Sequence, residues 1–322
     1  MEAKSQKKIT NWKEYNKSLI ERGKTSIYIT DEALDRWFHK GGRIGKGKTN
    51  VYGDETVILM HIIAEVYNLT YRQTQGFLED TLSNMDRMDI KVPCYTIMSR
   101  RCNNEKFEKY MNEVRMLKQN NENIYISIDS TGIKISGEGE WKTKIHGKDK
   151  RREWKKLHIV IDSKSREILD FKMTDNKVHD GEIFGNLVNG LIKRGYNIAK
   201  CFADGAYNWN EHFNLLNRYG IEAMIPVPKN AVMSCDDDNE STMVITPRDK
   251  AILKIYDSGG LSEWKKNSGY HLRSIVENAF SRIKIRFGDE LRVVREDVRQ
   301  CRISVRMWIL NFYTSLGMPI YR

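Results

Sequence analysis

The chain has 322 residues, and its 54 Lys and Arg against 43 Asp and Glu leave a net charge of +11. Length and a 40% hydrophobic, 30% charged composition exclude a disordered chain and allow two domains with a sizeable core; the basic surplus favours a polyanionic partner. Five scattered cysteines (Cys94, Cys102, Cys201, Cys235, Cys301) speak against a disulfide scaffold or a cysteine-based metal site and for a reducing compartment, and the absence of a leader-like or bilayer-length apolar run sets secretion and membrane insertion aside.

Residues 1 to 122 read as helical. Asp31 to His39 places Ala33, Leu34 and Trp37 on one face, and Asp54 to Tyr67 repeats the pattern with Val57, Ile58, Met60, Ile63 and Val66. Asn68 or Thr70 caps a third helix, Tyr71 to Leu82, and a fourth starts at Tyr95 and ends in Arg100 and Arg101. Short successive helices ending in two arginines suit a helix-turn-helix-like module that binds DNA; the plain alternative is a helical bundle with solvated arginines.

The texture changes at Ile124. Ile124 to Asp129 alternates with strand period, and Leu157 to Asp162 and Ile168 to Met173 form a hairpin across Asp162 to Arg166. Asp180 to Arg194 is a helix, Ile198 to Ala203 a buried strand, Asn210 to Tyr219 a helix, and Glu222 to Pro226 a strand. A meander followed by alternating helices and strands is a mixed α/β sheet. The domains implied are 1–122 and 123–322, with 229–269 a small insertion before a last helix from about Tyr270 to Arg286.

Three acidic residues stand where a site would form. Asp129 is followed by the strand-breaking Ser-Thr-Gly, and Asp204 closes the strand ending at Ala203; α/β sheets gather ligands beyond strand carboxyl ends. Glu277 lies on the last helix, where Tyr270, Arg273, Glu277 and Lys284 share a polar stripe opposite Val276, Ala279, Phe280 and Ile283. An ordinary solvated face with an Arg273–Glu277 pair is the alternative for that helix alone. Two carboxylates about 4 Å apart repel by roughly 4 kcal/mol at an effective dielectric near 20, so three converging carboxylates need cations. Oxygen-only ligands select Mg²⁺, with Mn²⁺ as substitute, and two such ions suit phosphodiester chemistry.

The Tyr270, Arg273, Glu277, Lys284 spacing, the segments Ile128-Asp-Ser-Thr-Gly132 and Ala203-Asp-Gly-Ala-Tyr207, and more weakly LTYRQTQGFLED and VPCYTIMSRR, resemble the DDE transposases of insertion sequences, family five in particular. The resemblance spans about residues 55 to 310. It implies an RNase H-like sheet with Asp129, Asp204 and Glu277 as the metal-binding catalytic triad, and Tyr270, Arg273 and Lys284 on transposon-end DNA. It also implies a cytoplasmic, nucleoid-associated prokaryotic protein that acts as a homodimer on double-stranded DNA, cutting terminal inverted repeats and joining the 3′-hydroxyl to target DNA. A metal-dependent nuclease without strand transfer and a catalytically silent DNA-binding protein are the alternatives.

Further basic segments add to the expected DNA surface. Lys142, Lys144, Lys148, Lys150, Arg151, Arg152, Lys155 and Lys156 crowd one loop beside Trp141 and Trp154, and Lys148, Arg151 and Arg152 are the contacts singled out there, with Arg100 and Arg101 elsewhere. Arg292, Arg295, Arg299, Arg302 and Arg306 recur every three or four residues as a basic helical stripe suited to the DNA backbone. Gly42 to Thr49 matches the phosphate-loop pattern, but no strand precedes it, so a linker is the better reading. Asp236 to Asp238 reads as an exposed loop.

Overall fold

The computed structural model describes residues 8–39, 51–102, 123–136, 153–233, 245–291, 293 and 295–321. The Gly42 to Thr49 and Asp236 to Asp238 segments lie outside them. The chain divides into two compact units, residues 1–118 with 293–322, and residues 119–292.

The first unit opens with α1 (Trp12–Glu21), α2 (Asp31–Asp35), α3 (Asp54–Val66), α4 (Tyr71–Asn84) and α5 (Tyr95–Arg100). Every residue of α3 from Thr56 to Val66 is buried, including His61 and Glu65. A helix enclosed on all sides is the centre of its unit rather than a one-faced surface helix. Thr70 caps α4, its hydroxyl accepting from the Gln73 N–H while the Gln73 side chain accepts from the Thr70 N–H. Asn68, just before it, takes a left-handed φ of 52°, which asparagine tolerates better than most residues.

The second unit is a five-stranded mixed sheet in the order β3-β2-β1-β4-β5. Its strands are β1 (Ile124–Ser136), β2 (Glu153–Asp162), β3 (Ile168–Asp175), β4 (Ile198–Phe202) and β5 (Glu222–Met224). β1, β2 and β3 run antiparallel, whereas β4 lies parallel to β1 and β5 parallel to β4. The β2–β3 turn is closed by the Asp162 carboxylate, which accepts from the Lys164 and Ser165 N–H groups at 3.1 Å each. The expected break after Asp129 does not occur. β1 continues through Ser130-Thr131-Gly132 because β2 pairs with it along that length, and Gly132 lies under the Trp154 ring, 3.4 Å from where its Cβ would be.

Alternation assigns the two sheet faces. Ile126 and Ile128 join a core with Ile183, Phe184 and Leu187 of α6 (Asp180–Lys193), with Phe213 and Leu216 of α7 (Asn210–Arg218) in the same cluster. The insertion region carries α8 (Pro247–Asp257) and α9 (Leu261–Asn267). The expected helix from Tyr270 is two elements: a 3₁₀ turn over Tyr270–Arg273, and α10 over Ser274–Phe287, which packs on β1 and β2 with Val276, Ala279, Phe280 and Ile283 buried.

The C-terminal helix, α11 (Glu296–Leu316), belongs to the first unit and packs against α3, although sequence order groups it with the sheet. Its arginines correct the basic-stripe reading. Arg302 and Arg306 both bond the buried Glu65 carboxylate, Arg306 at 2.8 Å, and Arg299 is buried beside Glu296 at 3.3 Å. Arg295 meets Asp297 and donates to the Ser99 carbonyl at 3.2 Å. The stripe therefore serves internal ion pairing: a charge in a buried helix face has to meet a counter-charge. Arg292 lies outside the described residues. Cys102, Cys301 and His61 also converge in this unit, their ligand atoms within 4.8 Å of one another, although the cysteines are scattered along the sequence. No helix among the described residues is long and apolar enough to cross a membrane.

Candidate active site

Register brings the first two carboxylates together. Ser127 of β1 pairs with Phe202 of β4 in parallel. Asp129 and Asp204 each lie two residues further on, so they stand at the same level where β4 ends. Asp129 shares a face with Ser127, whose hydroxyl donates to the Leu272 carbonyl at 3.1 Å, and that is the face covered by α10. Asp204 caps the 3₁₀ turn Gly205–Tyr207, its Oδ1 accepting from the Ala206 N–H at 2.9 Å.

Arg273 ties in the third. Its Nη1 donates to Asp129 Oδ2 at 3.1 Å and its Nη2 to Glu277 Oε1, so one guanidinium bridges a strand acid and a helix acid. Asp129 Oδ1 accepts the Ser130 N–H at 2.8 Å. Burial pushes the Asp129 carboxyl up to about 6, and the Asp204 and Glu277 charges push the same way against Arg273 and the Ser130 N–H. Three carboxylates with one guanidinium among them make a group short of positive charge, though their oxygens do not all lie within 4.8 Å of one another. Its donors are all oxygens, which fits Mg²⁺ or Mn²⁺.

The other expected contacts divide. Tyr270 is buried, and its hydroxyl donates to the Ala203 carbonyl at 3.1 Å; burial pushes it up to about 12. The phenol thus fastens the start of the helix carrying Glu277 to the end of the strand preceding Asp204. Lys284 is exposed, two turns along α10 from Glu277. Arg100 is exposed in the last turn of α5, whereas Arg101 is held by Asp54 and by the Tyr52 carbonyl at 2.8 Å. Lys142, Lys144, Lys148, Lys150, Arg151, Arg152 and Trp141 lie outside the described residues. Lys155 pairs with Asp175 at 2.5 Å, and Lys156 with Asp180 at 3.1 Å.

Tyr207 was not singled out from sequence. Its buried hydroxyl has no hydrogen-bond partner among the described residues, and it feels the Asp180, Asp129 and Asp204 charges. The one available signal was its place in Ala203-Asp-Gly-Ala-Tyr207, three residues after the acid.

A family model described as "Transposase DDE domain" matches residues 122–312, and a second of the same description matches residues 20–138. Among solved structures, a piggyBac transposase synaptic complex with hairpin DNA is similar over 96% of this chain and 78% of that one, at 12% identity and a TM-score of 0.38.

Proposed function

The chain belongs to the DDE transposase family, and from that premise we propose that it is a DNA transposase of insertion-sequence family five type, with Asp129, Asp204 and Glu277 as its catalytic carboxylates. The observation that carries this reading is the side-by-side placement of Asp129 and Asp204 by the β1–β4 register, with Glu277 joined to Asp129 through Arg273. The sheet, three antiparallel strands continued by two parallel ones, is mixed, which supports the RNase H-like reading. Residues 1–122 would bind the transposon ends and residues 123–292 would form the catalytic domain with 229–269 inserted, the C-terminal segment 293–322 grouping with the first unit; two copies would act together on DNA.

The three carboxylates would hold Mg²⁺, with Mn²⁺ as substitute. Divalent ions bound there supply activation of a water or 3′-hydroxyl and stabilisation of the leaving oxygen in phosphodiester cleavage and joining. The chain's own groups prepare the site. Burial holds Asp129 away from bulk water, the Ser130 N–H fixes its orientation, and the Ala206 N–H fixes Asp204. Arg273 compensates the acids, and Tyr270 pins the entry to α10 so that Glu277 stays opposite the strand ends. Lys284 and the basic stretch of residues 142–152 would supply the phosphate-holding surface.

The test uses the full chain, Mg²⁺ and duplexes carrying the inverted repeats that flank its gene. Cleavage at the repeat end, followed by strand transfer from pre-cleaved ends, is the expected result. Asp129→Asn, Asp204→Asn and Glu277→Gln should each lower both steps by at least about 100-fold while leaving DNA binding in place. Hydrolysis without any joined product would favour the nuclease alternative, and full activity in Asp129→Asn would refute the triad.

A further inference from the structure

Among the described residues, the proposed catalytic carboxylates leave one buried group of metal-ligating side chains unaccounted for. His61 of α3, Cys102 just after α5 and Cys301 of α11 are 1%, 5% and 0% exposed, and their ligand atoms all lie within 4.8 Å of one another. We propose that His61, Cys102 and Cys301 form a structural zinc site, separate from the magnesium chemistry, that clamps the C-terminal helix onto the centre of the first unit.

Four observations converge on it. Two sulfurs and an imidazole are a donor set that selects zinc over magnesium or manganese. Zn–S bonds of about 2.3 Å and Zn–N bonds of about 2.0 Å put tetrahedral donors roughly 3.5 Å apart, so closing the trio requires a shift of about an ångström. His61 Nε2 lies 3.2 Å from the Met98 carbonyl. A carbonyl only accepts, so Nε2 carries the proton, the arrangement in which metal-bound histidines give their other ring N–H to a backbone carbonyl. Finally, the Tyr71 hydroxyl is buried with no hydrogen-bond partner among the described residues, it feels both thiols, and its ring meets the His61 ring edge-on at 5.3 Å. A buried hydroxyl left so is costly, and a fourth ligand position beside it, filled directly or by water, gives it a partner.

Charge balance suits the location. Binding displaces one proton from each thiol to solvent, and a divalent ion with two thiolates and a neutral imidazole has no net charge, the form an apolar interior accepts at least cost. Sequence spacing hid the site because its ligands come from three separate elements rather than one Cys-x-x-Cys loop.

The test measures metal content in the full chain purified from zinc-supplemented cells, by elemental mass spectrometry after gel filtration. Stoichiometric zinc is expected in the wild type, in Cys94→Ala and in Asp129→Asn, with loss in Cys301→Ser and Cys102→Ser. Should the cysteine variants fail to fold, cobalt(II) exchanged into the wild type decides: thiolate-to-cobalt charge-transfer absorption supports the site. Metal-free protein with no such absorption overturns it, and so does a Cys102–Cys301 disulfide found by alkylation and mass spectrometry without reduction.

Discussion

At the scale of single residues, the sheet unit buries two titratable groups whose shifts have opposite consequences. His158 opposes Ser130 across β1 and β2, one residue from Asp129, so the two side chains lie on opposite faces. Burial pushes His158 from 6.5 down to about 4 and Asp129 from 3.8 up to about 6. As pH falls from 6.5 towards 4, an unfolded His158 takes up a proton that the folded one refuses, and stability drops. As pH falls from 6 towards 3.8, the folded Asp129 takes up a proton before the unfolded one does, and stability rises. Urea unfolding followed from pH 6.5 to 4 should therefore lose stability more steeply in Asp129→Asn than in the wild type, and less steeply in His158→Asn. Parallel curves for all three proteins would show that neither group is shifted as its burial requires.

At the scale of elements, sequence pattern was informative wherever local chemistry decides the outcome. The Thr70 capping box, the Asp162 turn and the apolar face of α6 are each written within a few consecutive residues. It was misleading wherever a distant partner decides. Strand pairing carries β1 past Gly132, and Glu65 claims Arg302 from 237 positions away, so a periodic arginine face turned out to be an inward one. Asp129, Asp204 and Glu277 stood out in the sequence as two acids at expected strand ends and one within the last helix; Arg273 as the bridge between Asp129 and Glu277 did not, because that contact needs the register of the fold. Tyr270 is the sharpest case. A helical wheel puts it beside Glu277, but the 3₁₀ turn aims its hydroxyl at the Ala203 carbonyl. Tyr270→Phe should cost about 1 kcal/mol in urea unfolding, the usual worth of one hydrogen bond, and leave affinity for transposon-end DNA unchanged. Unchanged stability with a large loss of DNA affinity would instead place the phenol on the nucleic acid. The buried Glu65 should be more sensitive: Glu65→Ala leaves two arginines without their counter-charge, a loss of about 3–5 kcal/mol, read as a lowered urea midpoint.

At the scale of the whole molecule, the net charge of +11 overstates what the described residues offer to DNA, because many cations are already spoken for. Arg101, Arg273, Arg302, Arg306, Lys155 and Lys156 all face carboxylates within the protein. By sequence, the densest remaining basic stretch is residues 142–152, between the strand that carries Asp129 and β2, with six Lys and Arg against one Asp. Each phosphate neutralised releases counterions, so the logarithm of affinity falls linearly with the logarithm of salt concentration, by about 0.9 per contact. If Lys148, Arg151 and Arg152 contact the DNA backbone, replacing all three by Gln should reduce that slope by up to about 3. Arg101→Gln should leave it nearly unaltered, since Asp54 already neutralises that guanidinium. Fluorescence anisotropy with labelled inverted-repeat DNA across a salt series measures both. A slope that survives the triple replacement would move the phosphate contacts away from this segment, to exposed cations such as Arg100 and Lys284, and the corresponding single replacements would then have to carry the loss.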